Sequence, residues 1–577
     1  MTLNKLALCF VALFALELEG IASMPKQNTQ CTTEEFRPRY HFSPAEHWIN
    51  DPNGLIYYDG VYHMFYQYHP NDTIWGPMHW GHAISTNLIT WEELDIALAP
   101  DDLGDIFSGS SVVDTTNTTG FKTDNGNDPI VAIYTSASEE GFLTQVQSLA
   151  YSVDKAATFQ KYVNNPVLRD ENSPDFRDPN VFYYGGKWIM SLAVGNKIEF
   201  YGSPDLKTWS KLSEFGADPQ QGNHDGVWEC PDLIPLIADV NGDGTKLDEL
   251  WVLLVSINPG GPNKGSATQY FVGNFDGTTF TSFTWSNTQW MDWGPDNYAG
   301  VTFSNEPQGR ALVVSWMSNW NYANATPTSA WRGQMTIPRT LDLVVVNRTA
   351  DQYRLVSTPA EELQELRNPL HYLEYNAEIN VLPQSIINLT EQAAFSTPLM
   401  ELEITLNISK NPEPSFAICA HNTIGEEVCF GYSNAEYYLD RSKTTNTALN
   451  THYTGALVSK AVREATEEVI SIRMFLDVSS IEVFADGGLT TMTAIHFSSQ
   501  PLDKIYINNW SKAGSSAILK VKNFKVYGLH CWFAEREGAV TTPTTVTPTD
   551  PPSAAAQYQV FSLGTIILLS LAHWVLY

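Results

Sequence analysis

Short hydrophobic runs separated by glycine, asparagine, aspartate and proline cover the chain from Phe36 to about residue 346. Runs such as residues 62–68, 188–193 and 251–256 are apolar throughout or alternate between apolar and polar positions, as β-strands do. Helical periodicity is scarce in this part of the chain. The pattern therefore predicts an all-β domain.

A turn followed by an aromatic residue recurs four times in this region. In each copy an Asx-type turn leads through threonine to the aromatic residue that would start the next strand, namely Trp91, Phe159, Trp209 and Phe280. The spacing is irregular and too long for one hairpin, but it fits about five four-stranded propeller blades with insertions. The alternative is a large β-sandwich with coincidental turns.

A stricter alternation of apolar and polar residues follows between residues 399 and 526, for example at 402–408 and 481–484. This alternation predicts a second β domain that resembles a sandwich. The expected fold is therefore all-β, with a five-bladed β-propeller at residues 36–346 and a C-terminal β-sandwich at residues 370–535.

Both ends of the chain resemble targeting signals. Residues 1–23 combine Lys5, an apolar run and small residues, which predicts a cleaved signal peptide; a buried N-terminal helix is the alternative. A Thr/Pro-rich stalk at 541–553 precedes a hydrophobic segment at 554–577 without Lys or Arg after it. We expect a secreted protein held at the cell surface by a GPI anchor near Ser553, with a retained transmembrane tail as the alternative.

Glycosylation sequons and cysteines agree with a secreted chain. Seven Asn-X-Ser/Thr sequons occur, each a weak signal alone: Asn71, Asn117, Asn324, Asn347, Asn388, Asn407 and Asn509. The sequon of Asn324 is the weakest because Pro327 follows it. Five cysteines remain after Cys9 leaves with the signal peptide, so at least one is unpaired or intermolecular. The candidate pairs are Cys419 with Cys429 and Cys31 with Cys531, and the candidate odd thiol is Cys230.

The amino-acid composition restricts the classes of molecule that the protein is expected to bind. The chain has 64 acidic and 33 basic residues and a net charge of −31, which repels nucleic acid over most of its surface. Hydrophobic residues make up 43% of the chain, enough for a large core, and aromatic residues make up 12%. Aromatic side chains suit β-sheets and also stack on sugar rings. Composition does not determine the oligomeric state.

Three segments place an acid beside proline or cysteine in an aromatic-rich turn at a strand end: WINDPNG at 48–54, FRDPN at 176–180 and VWECPD at 227–232. They are too far apart to meet within one element, but the blades of a propeller converge on a central channel. Cleavage of a glycosidic bond needs two carboxyl groups, and a third can hold sugar hydroxyls. Taken alone, each segment is also compatible with an ordinary turn or a local ion pair.

Together these segments resemble the family 32 glycoside hydrolases, the β-fructofuranosidases that include invertases, exo-inulinases and levanases. The resemblance runs from about Phe36 to Trp532 and includes FYQY at 65–68, WGHA at 80–83, FSGS at 107–110, NPGG at 258–261, QYFVG at 269–273 and DWGPD at 292–296. It implies a five-bladed propeller followed by a β-sandwich, and a reaction that needs neither a metal nor another cofactor.

The resemblance implies that Asp51 is the nucleophile, that Glu229 is the general acid and then the base, and that Asp178 with Arg177 stabilises the transition state. Asp51 must stay ionised while Glu229 holds its proton, so we expect Glu229 in the drier or more acid-crowded position. Retention of configuration requires the two carboxyls to lie ~5–5.5 Å apart. By resemblance, the fructose pocket is lined by Asn50, Gln67, Trp75, Phe107, Ser108 and Trp331. Core packing is the alternative for the two tryptophans.

Three features limit or fail to extend this interpretation. Asn297 stands where the family often has an aromatic residue, which would change the leaving-group side of the pocket. Residues 239–244 begin like a calcium loop, but position twelve is Leu250 and the flanks are strand-like, so we expect a surface turn. His79 and His82 have the spacing of zinc ligands without a further ligand cluster, so we expect no metal.

The expected function is hydrolysis of terminal non-reducing β-D-fructofuranosides in sucrose or in the fructans inulin and levan. A fructosyltransferase that uses the same acids is one alternative, and a catalytically silent sugar-binding module is another. The segments NPGG and DWGPD look more like exo-inulinases and levanases than like yeast invertase, but they do not select one substrate.

Overall fold

The computed structural model describes residues 34–531 except for 125, 139–143, 171, 240–246, 284–287, 348–351, 376, 410–412 and 513–516. The expected signal peptide, stalk and hydrophobic tail lie outside the described residues, as does most of the calcium-like segment. The described chain is nearly all β, and it forms a five-bladed β-propeller followed by a β-sandwich, which confirms the expected fold class.

Each of the first three blades is an antiparallel sheet of consecutive strands. Blade one contains β1 (His47–Tyr58), β2 (Val61–His69), β3 (His79–Ser85) and β4 (Glu92–Leu98). Blade two contains β5 (Asp105–Val113), β6 (Ile130–Ser138), β7 (Thr144–Ser152), β8 (Gln160–Lys161) and β9 (Leu168–Arg169). Blade three contains β10 (Phe176–Tyr184), β11 (Lys187–Val194), β12 (Lys197–Ser203) and β13 (Ser210–Phe215).

Blades four and five are joined into one sheet by a parallel pairing between Ala238 and Leu343. Blade four contains β14 (Val227–Asp239), β15 (Leu247–Asn258), β16 (Ala267–Phe275), β17 (Phe280–Ser282) and β18 (Gln289–Trp290). Blade five contains β19 (Tyr298–Thr302), β20 (Ala311–Trp316), β22 (Arg339–Asn347) and β23 (Gln352–Pro359). The short β21 (Trp331–Arg332) pairs in parallel with β1 and so joins the last blade to the first.

The first strand of each blade lies nearest the central axis, and these strands pack in the circular order β1, β5, β10, β14, β19 and back to β1. Neighbouring blades pack face to face, so many strands are buried on both faces; every residue of β6 except its last is buried. Burial of these two-sided apolar strands stabilises the ring of blades. One end of each inner strand therefore reaches the same region of the channel.

The sandwich consists of two packed sheets with a short helix, α1 (Thr451–Gly455). One sheet contains β24 (Arg367–Tyr375), β25 (Ile379–Val381), β27 (Met400–Asn407), β32 (Val469–Asp477), β33 (Ser480–Ala485), β34 (Thr490–Ile495) and β36 (Leu519–Leu529). The other contains β26 (Ser385–Asn388), β28 (Phe416–His421), β29 (Glu427–Ser433), β30 (Glu436–Lys443), β31 (Val458–Val462) and β35 (Lys504–Asn509). Short 3-10 turns occur at Ala323–Ala325, Glu361–Leu366, Glu391–Ala393 and Asp486–Gly488.

A buried charge cluster ties the propeller to the sandwich; its members are His41, Asp292, Arg339, Asp477 and Glu482. His41 contacts Asp477 and Glu482 through its two ring nitrogens, each at 2.8 Å. Burial alone would lower the pKa of His41, but the hydrogen bonds to the two carboxylates raise it to about 9. The two domains are therefore joined by a charged histidine at neutral pH.

Two of the cysteine predictions are confirmed. Cys419 and Cys429 form a disulfide across β28 and β29, and Cys230 is a buried free thiol. Cys531 is disulfide-bonded, but Cys31 lies outside the described residues, so their pairing stays a prediction. Within the described ranges, no helix has the length and apolar character needed to cross a membrane.

Candidate active site

Each of the five inner strands carries a bulge, and four of these bulges contain predicted site residues. The bulges of β1, β10 and β14 fall at residues 49–52, 177–180 and 229–232, and each contains one of the prolines Pro52, Pro179 and Pro231. Proline has no N–H for the strand ladder, and a bulge leaves a residue unpaired, so the two features coincide. Similar shifts occur in β5 at residues 106–109 and in β19 at 298–301.

The backbone at three of these bulges is left-handed. Asp178 has φ 63°, Cys230 has φ 46° and Ala299 has φ 54°, although none of them is glycine. Such conformations cost of order 1–3 kcal/mol and are frequent at functional sites. The acid-Pro and Cys-Pro pairs in the sequence therefore mark the points at which the inner strands leave regular pairing.

The three predicted acids meet at this end of the channel. The Cys230 Sγ atom lies 3.5 Å from Asp51 Oδ2 and 3.7 Å from Asp178 Oδ2. The backbone N–H of Cys230 donates to Asp178 Oδ2 at 3.0 Å. Arg177 joins Asp178 to Glu229, because its Nε lies 3.9 Å from Asp178 Oδ2 and its Nη2 donates to Glu229 Oε1 at 2.9 Å. Acids from three blades thus form one cluster.

Asp51 is enclosed and hydrogen-bonded. Ser108 Oγ donates to Asp51 Oδ2 at 2.7 Å, and Asn50 Nδ2 donates to Asp51 Oδ1 at 3.0 Å. The carbonyl oxygen of the Asn50 side chain accepts from Trp48 Nε1 at 2.8 Å, which fixes the orientation of the amide. Burial, followed by the charge of Glu229, raises the pKa of Asp51, and these hydrogen bonds oppose the rise.

Glu229 was expected in the drier or more acid-crowded position, and the first of these two expectations is wrong. Asp51 is buried, whereas the Glu229 side chain is 21% exposed. The reason is that Asn50, Ser108 and Cys230 surround the Asp51 carboxyl, while the Glu229 carboxyl keeps contact with solvent. In the free enzyme the drier acid is therefore the predicted nucleophile.

Asp178 is also buried, and burial raises its pKa to about 7. The positive charge of Arg177 opposes this rise, while the charges of Glu229 and Asp51 add to it. The backbone N–H of Asp178 donates to Thr135 Oγ1 at 3.0 Å, which anchors the bulge to blade two.

Two site residues were missed by the sequence interpretation. The Tyr298 hydroxyl, fully buried at the start of β19, donates to Glu229 Oε2. Cys230 was predicted only as an odd thiol, yet it contacts two of the acids. The available signals were the position of Tyr298 just after DWGPD and the position of Cys230 directly after Glu229.

The predicted aromatic residues of the pocket differ in exposure. Trp75 is 42% exposed, and its ring meets Phe107 edge-on with centroids 6.1 Å apart. Trp331 is buried, and the guanidinium of Arg37 lies 4.8 Å from its ring centroid. Trp75 is therefore accessible to a ligand, whereas the burial of Trp331 favours the core-packing alternative.

Gln67, which was predicted to line the pocket, and Asn297, which was named as a departure from the family pattern, are both buried. Gln67 Nε2 donates to Asn53 Oδ1 at 2.7 Å and to the Ile106 carbonyl at 3.0 Å, so Gln67 connects blades one and two. Asn297 is 2% exposed, and within the described ranges its side-chain amide has no hydrogen-bond partner. Asn297 thus lies beneath the pocket surface in this structure.

His82, one of the two histidines considered as zinc ligands, lies against another histidine. His82 Nε2 lies 3.1 Å from His63 Nδ1, and burial lowers the pKa of His82 to about 3 and that of His63 to about 4. One group of potential ligands is compact among the described residues, namely Cys419, Glu427 and Cys429, and its two sulfurs are joined in the disulfide.

Comparison with known proteins identifies the family. Residues 41–359 match the glycosyl hydrolases family 32 N-terminal domain, and residues 362–528 match the glycosyl hydrolases family 32 C-terminal domain. The chain belongs to glycosyl hydrolase family 32. A levanase of Bacillus subtilis (strain 168) is 40% identical to this family 32 chain, over 93% of the chain and 78% of the levanase. An extracellular exo-inulinase of Aspergillus awamori is 36% identical, over 85% of the chain and 95% of the exo-inulinase.

Solved structures of family 32 proteins have the same architecture. The crystal structure of the Aspergillus awamori exo-inulinase has a TM-score of 0.76 and 33% identity, over 87% of this chain and 99% of that one. The β-fructofuranosidase of Schwanniomyces occidentalis, complexed with fructosyl-erythritol, also has a TM-score of 0.76, with 32% identity and the same coverage. These similarities confirm the resemblance found in the sequence.

Proposed function

We propose that this family 32 chain is an exo-acting, retaining β-fructofuranosidase, which hydrolyses terminal non-reducing β-D-fructofuranosyl residues of sucrose and fructans and releases fructose. The observation that carries the proposal is the convergence of Asp51, Asp178 and Glu229 at one end of the propeller channel. A levanase and an exo-inulinase among the relatives, and a related structure with a bound fructosyl sugar, support a fructosyl substrate.

Asp51 is proposed as the nucleophile that attacks the anomeric carbon of the fructosyl ring. Its two oxygens accept hydrogen bonds from Ser108 and Asn50, which orient the carboxylate and favour its charged form against the cost of burial. A buried, oriented carboxylate reaches the reacting carbon without reorganising solvent. The product of this step is a covalent fructosyl-enzyme.

Glu229 is proposed as the acid that protonates the departing glucosyl or fructosyl oxygen, and then as the base that deprotonates the incoming water. Its greater exposure suits both roles, since the leaving group and the water must exchange with solvent at this side. Arg177 and Tyr298 hold one oxygen each, so the carboxyl keeps its direction through both steps.

Asp178 is proposed to grip fructose hydroxyls and to stabilise positive charge on the ring in the transition state. Its Oδ2 accepts from the Cys230 backbone N–H and faces Arg177. A negative charge on Asp178 would lie beside the oxocarbenium-like ring and stabilise it. Trp75 and Phe107 provide an aromatic wall on which a sugar can stack.

The test of the reaction type is NMR spectroscopy of fresh sucrose reactions. We expect β-fructofuranose as the first fructose anomer, before mutarotation. Initial release of α-fructofuranose would overturn the double displacement. Formation of kestoses as the main products in concentrated sucrose would favour the fructosyltransferase alternative.

The test of substrate class is kcat/KM on sucrose, inulin and levan, together with the product profile. We expect free fructose as the main product from each fructan because the acids lie in a channel that one chain end can enter. A profile dominated by internal oligosaccharides would overturn the exo assignment. The ranking of the three substrates is the result that would define the natural one.

We also propose that the enzyme is secreted and held on the outer cell surface by a GPI anchor near Ser553. The sequence of residues 1–23 and 541–577 supports this proposal, and the name of the extracellular exo-inulinase supports secretion. Treatment of intact cells with phosphatidylinositol-specific phospholipase C should release the enzyme. Resistance, with the peptide of residues 558–577 still detectable by mass spectrometry, would favour a transmembrane tail.

A further inference from the structure

Two glycosylation sequons lie beside Trp75, the exposed aromatic residue of the proposed pocket. Asn71 and Asn324 are both exposed, and Asn71 precedes Trp75 by four residues in the same loop. Arg332 fastens this loop to the segment of Asn324, because its Nη1 donates to the Thr73 carbonyl at 2.9 Å and to the Asn324 carbonyl at 2.8 Å. We call residues 70–76 and 323–326 the pocket rim.

The oxygen and the nitrogen of the Asn324 side-chain amide have different surroundings. Its Oδ1 accepts a hydrogen bond from the backbone N–H of Trp75 at 3.3 Å. Its Nδ2, the atom to which an N-linked glycan attaches, donates to no group among the described residues. A glycan on Nδ2 would therefore leave the contact with Trp75 in place and would extend from the rim into solvent.

At the sequon of Asn509, in contrast, the side-chain nitrogen is buried and hydrogen-bonded. Asn509 is 1% exposed, and its Nδ2 donates to the Val381 carbonyl at 2.9 Å and to the Ala517 carbonyl at 3.0 Å. A glycan on this nitrogen would break both bonds and have no room inside the sandwich. The fold therefore separates sequons that can carry a glycan from one that cannot.

We propose that the pocket rim carries N-linked glycan, on Asn71, on Asn324 or on both, and that this glycan screens the pocket from long fructan chains. The donor is a lipid-diphosphate-linked oligosaccharide of the secretory pathway. The Asn Nδ2 forms a bond to the anomeric carbon and loses a proton, while the bond from that carbon to the diphosphate oxygen breaks and the lipid diphosphate leaves. The screening part of the proposal rests on the proposed function.

The expected selectivity follows from size. Sucrose places only one glucosyl unit beyond the cleaved bond, so it extends a short way out of the pocket. A long fructan continues past the rim, where a bulky, hydrated glycan competes for the same space. The glycan should therefore reduce the rate on polymers more than the rate on sucrose.

The experiment uses the full-length enzyme secreted from a eukaryotic host. Glycopeptide mass spectrometry measures the occupancy of Asn71 and Asn324 directly. The variants Thr73→Ala and Thr326→Ala, alone and together, remove the sequons but keep both asparagines and the backbone carbonyls that hold Arg332. Ser409→Ala changes an exposed serine, removes the sequon of the half-buried Asn407 in the sandwich, and serves as the matched control.

We expect the double variant to raise kcat/KM on long-chain inulin at least about threefold relative to sucrose, with the sucrose value nearly unchanged. Ser409→Ala should leave this ratio as in the wild type. Treatment of the native enzyme with an endoglycosidase should raise the ratio in the same way, which covers the case in which Thr326→Ala folds poorly.

Three results would decide against these ideas, and they are distinguishable. Two unoccupied rim sites in the secreted enzyme would overturn the modification. Occupied sites with an unchanged inulin-to-sucrose ratio after their removal would overturn the screening. Absence of fructose release by the wild type from every substrate would overturn the proposed function, while the occupancy measurement would still test the modification.

Discussion

The Glu229→Gln variant tests the proposed roles of Glu229 as the proton donor and of Asp51 as the nucleophile. Glutamine has the shape of glutamate but cannot supply a proton. Its carbonyl oxygen can still accept from Arg177, which donates to Glu229 at 2.9 and 3.2 Å, and its amide can donate to the Tyr298 hydroxyl. The variant should therefore fold normally, and a loss of rate should report the missing proton.

The expected loss depends on the leaving group. General acid catalysis contributes about 10²–10⁴-fold, so we expect kcat on sucrose to fall at least ~10³-fold, which corresponds to about 4 kcal/mol of the activation free energy. On p-nitrophenyl β-D-fructofuranoside, the leaving phenolate needs no proton, and formation of the fructosyl-enzyme should be nearly unaffected. Hydrolysis of that intermediate should be slowed, so a burst of nitrophenol is expected.

The assay compares burst and steady-state rates of both substrates in the wild type, Glu229→Gln and Asp51→Asn. Asp51→Asn should lose activity on both substrates and show no burst, because it lacks the nucleophile. An equal loss on sucrose and on the aryl fructoside in Glu229→Gln, without a burst, would refute the role of Glu229 as the proton donor. Wild-type turnover of sucrose would refute it as well.

The same variant should have a distinct pH profile. In the active form Glu229 is protonated and uncharged, so the acid limb of the rate reports protonation of Asp51 alone. Glutamine should therefore leave the acid limb nearly in place and remove the alkaline limb, which reports loss of the Glu229 proton. For the wild type we expect a bell-shaped profile with its optimum on the acid side of neutral. A rate that rose steadily to pH 9 would contradict a protonated carboxyl as the donor.

Three further outcomes are expected. Asp178→Ala should lower kcat at least ~10³-fold while the circular dichroism spectrum stays unchanged. A near-wild-type kcat would refute the proposed role of Asp178 in the transition state. Burial and the neighbouring carboxylates raise the pKa of the Cys230 thiol, so iodoacetamide should label it slowly until the protein is denatured; fast native labelling would contradict this. The pKa of His41 is about 9, so below pH 6.5 its positive charge, paired with Asp477 and Glu482, stabilises the fold. As the pH rises to 9, the free energy of unfolding should decrease by up to about 3 kcal/mol. The thermal midpoint should fall over that range, and less so in His41→Gln.

The propeller could be predicted from sequence because its turns are made by local hydrogen bonds. Asn87 Oδ1 accepts from the backbone N–H groups of Ile89 and Thr90, and Asp205 Oδ1 accepts from those of Lys207 and Thr208. Asp276 does the same with the two residues that follow Gly277. Each turn depends on residues two or three positions apart, so its signature is visible in the sequence. The alternation in the sandwich is visible for the same reason.

Contacts between blades could not be predicted in this way. Tyr298 and Glu229 are 69 positions apart, and Cys230 and Asp51 are 179 apart. Such pairs depend on the order of the inner strands around the axis and on where each bulge falls. The buried cluster of His41, Asp477 and Glu482 joins residues over 400 positions apart and has no local pattern at all.

The depth of each acid also follows from this long-range geometry, and it favours one direction of approach. Asp51 is buried and enclosed by Ser108 and Asn50, whereas the Glu229 side chain keeps contact with solvent. With the proposed roles, a fructosyl ring must enter first to reach Asp51, and the bond to be cleaved then lies beside Glu229 with the rest of the substrate outside. An internal unit of a fructan could not adopt this position, because both of its neighbours would need a way out and the end beyond the ring is closed by Asp51 and its partners. On this proposal, exo-cleavage follows from the order in which the two acids are buried, and not from the acids themselves.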